Sequence, residues 1–371
     1  MSIPLLAVFA DVPDPRRETK NKLHELVDIL TLATCAVIAG ADGWDQVAAF
    51  GRAKQTLFAP YLRLPHGVPS PDTFERVFAK LDPDAFADRF GRWMAAACES
   101  TGLVHVAIDG KSARRSTKNT FTGCLHLVEA WAVENRLILG QRSVPEGGHE
   151  ITTAPDLLGA LDLTGAVVTV DAAFCQKELV SQIRTQGGHY VVCVKGNQKG
   201  LRGAVAEVFA RAGEDAFAGC DMGSAVEDGH GREEERYVTV VEDPEGLPSG
   251  WADVGAVALV CRERVVNGKP NESTAHYYLT SLRIGAVELA GYIRNHWGIE
   301  NGLHWCLDIA FREDDSRARA GHAGANLGMI RRVALSLLQR ADTKGSIRTR
   351  RMKAAWDDQY LLKVFKILTT K

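Results

Sequence analysis

Apolar side chains recur along this chain at two periods, and the switch between them marks its parts. In residues 1–97 the spacing is helical, as in ELVDILTLATCAVIAG and GWDQVAAFGRAK. PHGVPSPDTFERVFAKL follows, where Ser70 or Asp72 caps a helix after Pro69 or Pro71. These stretches predict an N-terminal helical domain over 1–97. From about residue 100 the period falls to two. VHVAID, LHLVEAWAV and RLILGQRSV read as strands, the last two joined by a hairpin turn at Glu134-Asn135. TAPDLLGALDL is a helix, and GAVVTVDAAF is apolar enough for a strand buried on both faces. QKELVSQIRTQGG is a second helix, ending at Gly187 and Gly188, and HYVVCVKG a further buried strand. This order predicts an α/β fold over 100–200: a mixed sheet with an antiparallel flank and a parallel centre, covered by helices on both faces.

Residues 201–275 interrupt the regularity with a short helix, strands such as RYVTVVED and VGAVALVCRERVV, and turns at Pro244 and Gly268. They read as a β-rich insertion. The strand HYYLTSL leads into a helical part over 276–340, containing VELAGYIRNHWGIENGLHWCLDIAF and ANLGMIRRVALSLLQR. Residues 341–371, with SIRTRRMK, read as a basic, solvated C-terminal tail.

Composition narrows the function classes. At 371 residues the chain exceeds one simple core and predicts two or three domains. No apolar run approaches the roughly 18 residues of a spanning helix, so no membrane partner is expected. The N-terminus reads as part of the mature protein. Eight cysteines without a CxxC pair suit buried reduced thiols rather than a disulfide framework. His296, His304 and Cys306 lack the companions and spacing of a zinc site. A net charge of -2 does not announce a polyanion partner, but basic residues gather beyond Arg331 while acids gather in VEDGHGREEER.

The chemistry begins at VHVAIDGKSARRS, an apolar strand ending on Asp109 and followed by Lys111, Arg114 and Arg115. A second buried strand ends on Asp171. Open α/β sheets bind ligands at the carboxyl edge of their parallel strands. Two carboxylates side by side there raise each other's pKa unless a cation lies between them, and Mg²⁺ takes oxygen ligands of this kind. Each aspartate alone reads first as a turn or helix-cap residue. A third acid is available in NHWGIENGLHWCLDIAFREDDSR, where Ile299, Leu303, Cys306 and Leu307 share an apolar helix face. Glu300 and His304 stand one turn apart beside it, and Asp308, Glu313 and Asp314 compete farther along. Two strand aspartates and a helix glutamate form the acid set of two-metal phosphoryl transfer.

The motifs DPR, KxHxLxDIL, AIDGK, HEIT, VTVDA, VVCVKGNQ, HGRxExR and NHWGIENxLHWxLDIxFxED cover nearly the whole chain. In them it resembles the DDE transposases of bacterial insertion sequences, closest in wording to the ISAs-type, H-repeat-associated family. The resemblance implies a ribonuclease-H-like core, Asp109, Asp171 and Glu300 as catalytic and metal-holding acids, and two Mg²⁺ ions, with Mn²⁺ as a substitute. It also implies that the β-rich stretch separates the second acid from the third. The related insertion-sequence-four-like group carries a Tyr, Arg and Lys around its glutamate. Here those slots hold Ile293, His296 and Leu307, with Tyr292 and Arg294 out of register, so the roles of that Tyr, Arg and Lys do not transfer.

Candidate DNA contacts are Lys111, Arg114 and Arg115 on phosphates; Lys195, Asn197 and Gln198 after a buried strand; His230, Arg232 and Arg236 in HGREEER; and Arg294, His296 and His304 beside Glu300. Polar turns and surface ion pairs account for the same residues structurally. His149 and Glu150 could stand near the metals, and Trp297 and Trp305 read as packing residues able to stack on a displaced base. The expected function is metal-dependent cleavage at insertion-sequence ends and strand transfer into target DNA, by a homodimer in the bacterial cytoplasm and nucleoid. The rivals are a DNA-binding protein that no longer cuts and a nuclease without strand transfer.

Overall fold

A computed structural model describes residues 5–99, 104–116, 124–229, 232–266 and 269–366. The chain forms two compact units. One comprises Met1–Gly102, Gly110–His149 and Ile299–Lys371, the other Leu103–Asp109 and Glu150–Gly298. Nine strands occur among the described residues: β1 (His105–Ala113), β2 (Leu125–Ala132), β3 (Leu137–Ser143), β4 (Val167–Val170), β5 (His189–Val194), β6 (Asp221–Gly229), β7 (Arg232–Glu242), β8 (Ala256–Val266) and β9 (Lys269–Thr280). With the helices they make the mixed α/β fold that the two periods predict. No helix is long and apolar enough to cross a membrane among the described residues.

In the unit built on 150–298, the strand order is β1-β4-β5-β9-β8-β7-β6. β1, β4 and β5 are parallel, and the rest of the order is antiparallel. Successive residues of β4 and β5 are buried, so both faces of these strands are covered, as the continuous apolar runs require. On one face Val167, Val191, Val238, Ala258 and Val260 meet Ala286, Leu289 and Ile293 of the helix Ala286–His296. The β-rich stretch is thus a continuation of this unit's sheet, because β9 pairs with β5 in register Val191↔Thr280.

The other unit packs helices around the hairpin β2–β3. Helix Leu26–Ile38 is buried almost throughout and lies against helix Ala323–Arg340, as does helix Pro71–Lys80. Asn326, fully buried, donates to the carbonyls of Phe78 and Leu81 at 2.8 Å each. The first hundred residues therefore share a unit with the C-terminal ones. Ser70 caps the helix at Pro71, as the sequence indicates.

The solvated C-terminal tail is not observed. Residues 347–365 form helices Ile347–Trp356 and Asp358–Phe365, burying Leu361, Val364 and Phe365. Arg351 is buried too, donating to the Val37 carbonyl at 2.9 Å and lying over the Phe311 ring at 4.2 Å. The count of basic residues hides this: Arg350 and Arg351 spend their guanidinium groups on backbone carbonyls, while Arg348, Lys353 and Lys363 stay exposed.

Candidate active site

The parallel register of β1 and β4 pairs Ile108 with Val170. The next residue in each case is an aspartate: Asp109, still within β1, and Asp171, just past the end of β4. The two aspartates therefore emerge at the same edge of the sheet, where the parallel pairing of β1 and β4 ends. Contrary to the expectation from sequence, β1 does not end at Asp109 but continues to Ala113; only its pairing with β4 ends at Ile108.

Asp171 accepts a hydrogen bond from the Ala172 N–H and caps the single turn Ala172–Phe174. Lys195 Nζ stands 3.5 Å from its carboxylate. The two residues expected alongside Lys195 brace this turn instead. Asn197 Nδ2 donates to the Ala172 carbonyl at 2.7 Å, and Gln198 Nε2 to the Cys175 carbonyl at 2.8 Å. Behind the strand ends, Thr169 Oγ1 lies 2.8 Å from His105 Nε2 and 2.9 Å from His296 Nδ1. Burial, helped by the nearby His296, pushes the His105 imidazole down to about 3. A cavity of about 190 Å³ opens beside Asp171, lined among others by Lys195, Arg262, His276, Tyr278 and Trp297. Arg294 is exposed, and Arg236 pairs with Glu234 within β7, which Arg232 opens. His230 lies outside the described residues.

In the other unit, Glu300 and His304 sit on a π-helical turn, Ile299–His304, that runs into the helix Trp305–Phe311. Single π turns of this kind are frequent at functional sites. Ile299 and Leu303 anchor the turn in the core. Gly302 lets it approach β2, since a Cβ there would meet Trp131 Cη2 at 2.6 Å. Gln339 Nε2 fixes the same residue by donating to its carbonyl at 3.0 Å. Glu300 is exposed and His304 buried, and their potential ligand atoms lie within 4.8 Å of each other. Trp305 is 59% exposed, and Trp297 in the other unit 47%, so neither is the packing residue it reads as.

The acids that compete with Glu300 are each engaged by a cation. Lys111, buried, donates to both oxygens of Asp308 at 2.8 Å. Asp314 lies 3.3 Å from Arg114, and Asp315 3.1 Å from Arg115. Glu313 accepts from Arg332 at 2.6 and 3.1 Å. Arg332 also donates to Glu129 of β2, and Glu129 lies 2.8 Å from His304 Nε2. Glu129 and Arg332 are completely buried. Sequence reasoning missed this network. Its signal was the charge inside two apolar runs, Glu129 in LHLVEAWAV and Arg331 and Arg332 in GMIRRVALSLL. His149 is exposed just ahead of the helix that Glu150 begins.

A second concave region belongs to this unit. A cleft of about 570 Å³ is lined by Arg16, Arg17, Lys22, His24, Arg76 and Lys80 together with polar and apolar residues, and by no acid. Asp14 accepts from Arg16 Nη2 at 2.7 Å and lies 3.1 Å from Lys22, which also pairs with Glu18.

Comparison with known proteins places the chain. Residues 100–337 match the transposase DDE domain family, and residues 6–94 match the family described as DDE_Tnp_1-associated. A protein of Escherichia coli (strain K12) named "H repeat-associated putative transposase YhhI" is 35% identical over 373 residues, covering 97% of each chain. "Putative transposase YncI" of Escherichia coli O157:H7 is 37% identical over 97% of this chain and 94% of its own length. A Xanthobacter autotrophicus relative, "Uncharacterized protein in dhlA 3'region", reaches 41% over 70% of this chain and 89% of its own. Matched over well more than half its length, the chain belongs to the transposase DDE domain family.

Proposed function

We propose that this protein is a DNA transposase that cuts at the ends of an insertion sequence and joins the freed 3′ ends to target DNA. The observation that carries the reading is that Asp109 and Asp171 each directly follow the last registered pair of two parallel strands, Ile108 and Val170, in a chain of this family. Two adjacent carboxylates repel, and a divalent cation relieves that repulsion. Asp109, Asp171 and Glu300 would hold the ions, and an all-carboxylate donor set suits hard Mg²⁺, or Mn²⁺ in its place. When bound, such ions supply charge neutralisation for in-line displacement at phosphorus.

In the first step the oxygen of a water attacks a phosphodiester phosphorus, and the 3′ oxygen leaves as a hydroxyl. In the second that hydroxyl attacks a target phosphate and displaces another 3′ oxygen, so no covalent enzyme intermediate is needed. Lys195 steadies Asp171, while Asn197 and Gln198 hold the turn that carries it. Arg114, Arg115 and the cleft around Arg17 and Lys80 would take backbone phosphates, which position DNA without reading sequence. Lys111, committed to Asp308, is the least available of the expected contacts. The cavity beside Asp171, with Lys195 and Arg262 in its wall, would take a flanking nucleotide. Because element ends come in pairs, the working form would be a homodimer on DNA.

Incubation with DNA bearing the inverted repeats that flank the gene, plus Mg²⁺, tests this. Joined products support transposition. Cleavage without joining replaces it with a nuclease, and a gel shift without cleavage with a DNA-binding protein that does not cut.

A further inference from the structure

We propose that His304 is a nitrogen ligand of the divalent-ion site, and that Glu129, gripped by Arg332, is the positioning residue that holds its imidazole in the binding tautomer. This rests on the reading of Asp109, Asp171 and Glu300 as the ion-holding acids.

The chemistry of the hydrogen bonds fixes the tautomer. Glu129 faces the Arg332 guanidinium and is an ionised carboxylate, which can only accept. The contact at 2.8 Å to His304 Nε2 therefore places the proton on that nitrogen. In the neutral ring Nδ1 then keeps its lone pair, the form in which imidazole binds metals. Metal-bound histidines typically donate their second ring N–H to a carboxylate in this way, which fixes the ring and raises its basicity. On the same π turn, Glu300 offers an oxygen within 4.8 Å of a His304 ring nitrogen, a separation that two ligands of one ion can span.

Stability alone gives no reason for the network behind this pair. Taking a guanidinium and a carboxylate wholly out of water costs about what their attraction returns, and a well-packed apolar pair is often as stable or better. Yet Arg332 is buried between Glu129 and Glu313, and Gly328 leaves it room, since a Cβ there would stand 3.1 Å from Arg332 Nη1. What such an arrangement does supply is a single fixed orientation for the Glu129 carboxylate, and through it for the imidazole.

Mn²⁺ binding to the full-length protein, followed by pulsed electron paramagnetic resonance, tests the assignment apart from catalysis. The wild type should show modulation from a directly bound ¹⁴N. His304→Gln should still bind Mn²⁺ through the acids but lose that modulation, and its preference for Mn²⁺ over Mg²⁺ should fall about tenfold, because imidazole favours the transition metal. Glu129→Gln should weaken Mn²⁺ binding by about 10–100-fold. The apolar set Glu129→Met, Arg332→Met and Glu313→Met, which leaves no buried charge unpaired, should do the same if the single variant does not fold. Acid-dependent Mn²⁺ binding without ¹⁴N modulation, or modulation that survives His304→Gln, overturns the inference and leaves the acids standing. Mn²⁺ binding that is insensitive to Asp109→Asn and Glu300→Gln overturns the reading of the acids themselves.

Discussion

Lys111 donates to both carboxylate oxygens of Asp308, at 2.8 Å each, from a side chain with almost no exposure to water. The pair commits Lys111 and Asp308 to each other, which argues against a phosphate contact for the first and against a metal-holding role for the second. Burial holds the Asp308 carboxyl above the usual range even with Lys111 beside it, so this carboxylate exists largely through that partner. Asp308→Asn should therefore leave DNA cleavage per folded molecule unchanged. It should cost about 1–3 kcal/mol in a denaturant melt, since a buried ammonium loses its counter-charge and one of its two acceptor oxygens. Loss of cleavage with unchanged stability would move the third-acid assignment from Glu300 to Asp308.

Asp109→Asn, Asp171→Asn and Glu300→Gln should each lower cleavage by about three orders of magnitude, the loss of roughly 4 kcal/mol of transition-state stabilisation. Gel shifts on terminal-repeat DNA should change little, because phosphate contacts supply most of the affinity. Full cleavage by any one of the three removes that residue from the metal-holding set.

The cleft lined by Arg16, Arg17, Lys22, Arg76 and Lys80 makes a prediction about salt. Replacing Arg17 and Lys80 with alanine should weaken binding about equally on specific and unrelated DNA. The slope of log affinity against log salt should become shallower by about 0.9 for each phosphate that the variant no longer neutralises. An unaltered slope would place the DNA elsewhere on the protein.

His105 sets a pH window for stability. Its folded pKa, pushed down to about 3 chiefly by burial, lies below the ordinary 6.5. Between these values the unfolded chain binds the extra proton, so stability is full above 6.5 and declines as pH falls toward 3. The expected loss is about 1.4 kcal/mol per pH unit inside the window. His105→Gln should flatten that part of the melting curve against pH, and an unchanged slope would assign the acid sensitivity to other groups.

Gly302 makes the closest approach of the π turn to β2. Gly302→Ala drives a methyl into Trp131 Cη2 and should cost about 1–3 kcal/mol, the usual penalty of overpacking. Adding Trp131→Phe removes that ring atom and should restore part of the loss. A double-mutant cycle measures this directly, and strict additivity would mean that the two residues do not press on each other.

Sequence period alone determined the strands and helices around the two aspartates. VTVDAAF and HYVVCVKG are apolar on both alternating sets of positions because both faces of β4 and β5 are covered, and such a run is visible in one dimension. The family motifs marked Glu300 in the same way, since they are contiguous text. What the sequence left undecided was which charges meet. Lys111 and Asp308 are 197 residues apart, and Arg332 and Glu129 203. Tertiary packing alone chose those partners, because Coulomb attraction depends on distance in space. For the same reason a count of basic residues promised a solvated tail where Arg351 is buried under helices. Hydrophobic pattern is written along the chain; the pairing of its charges is settled only once the chain has folded.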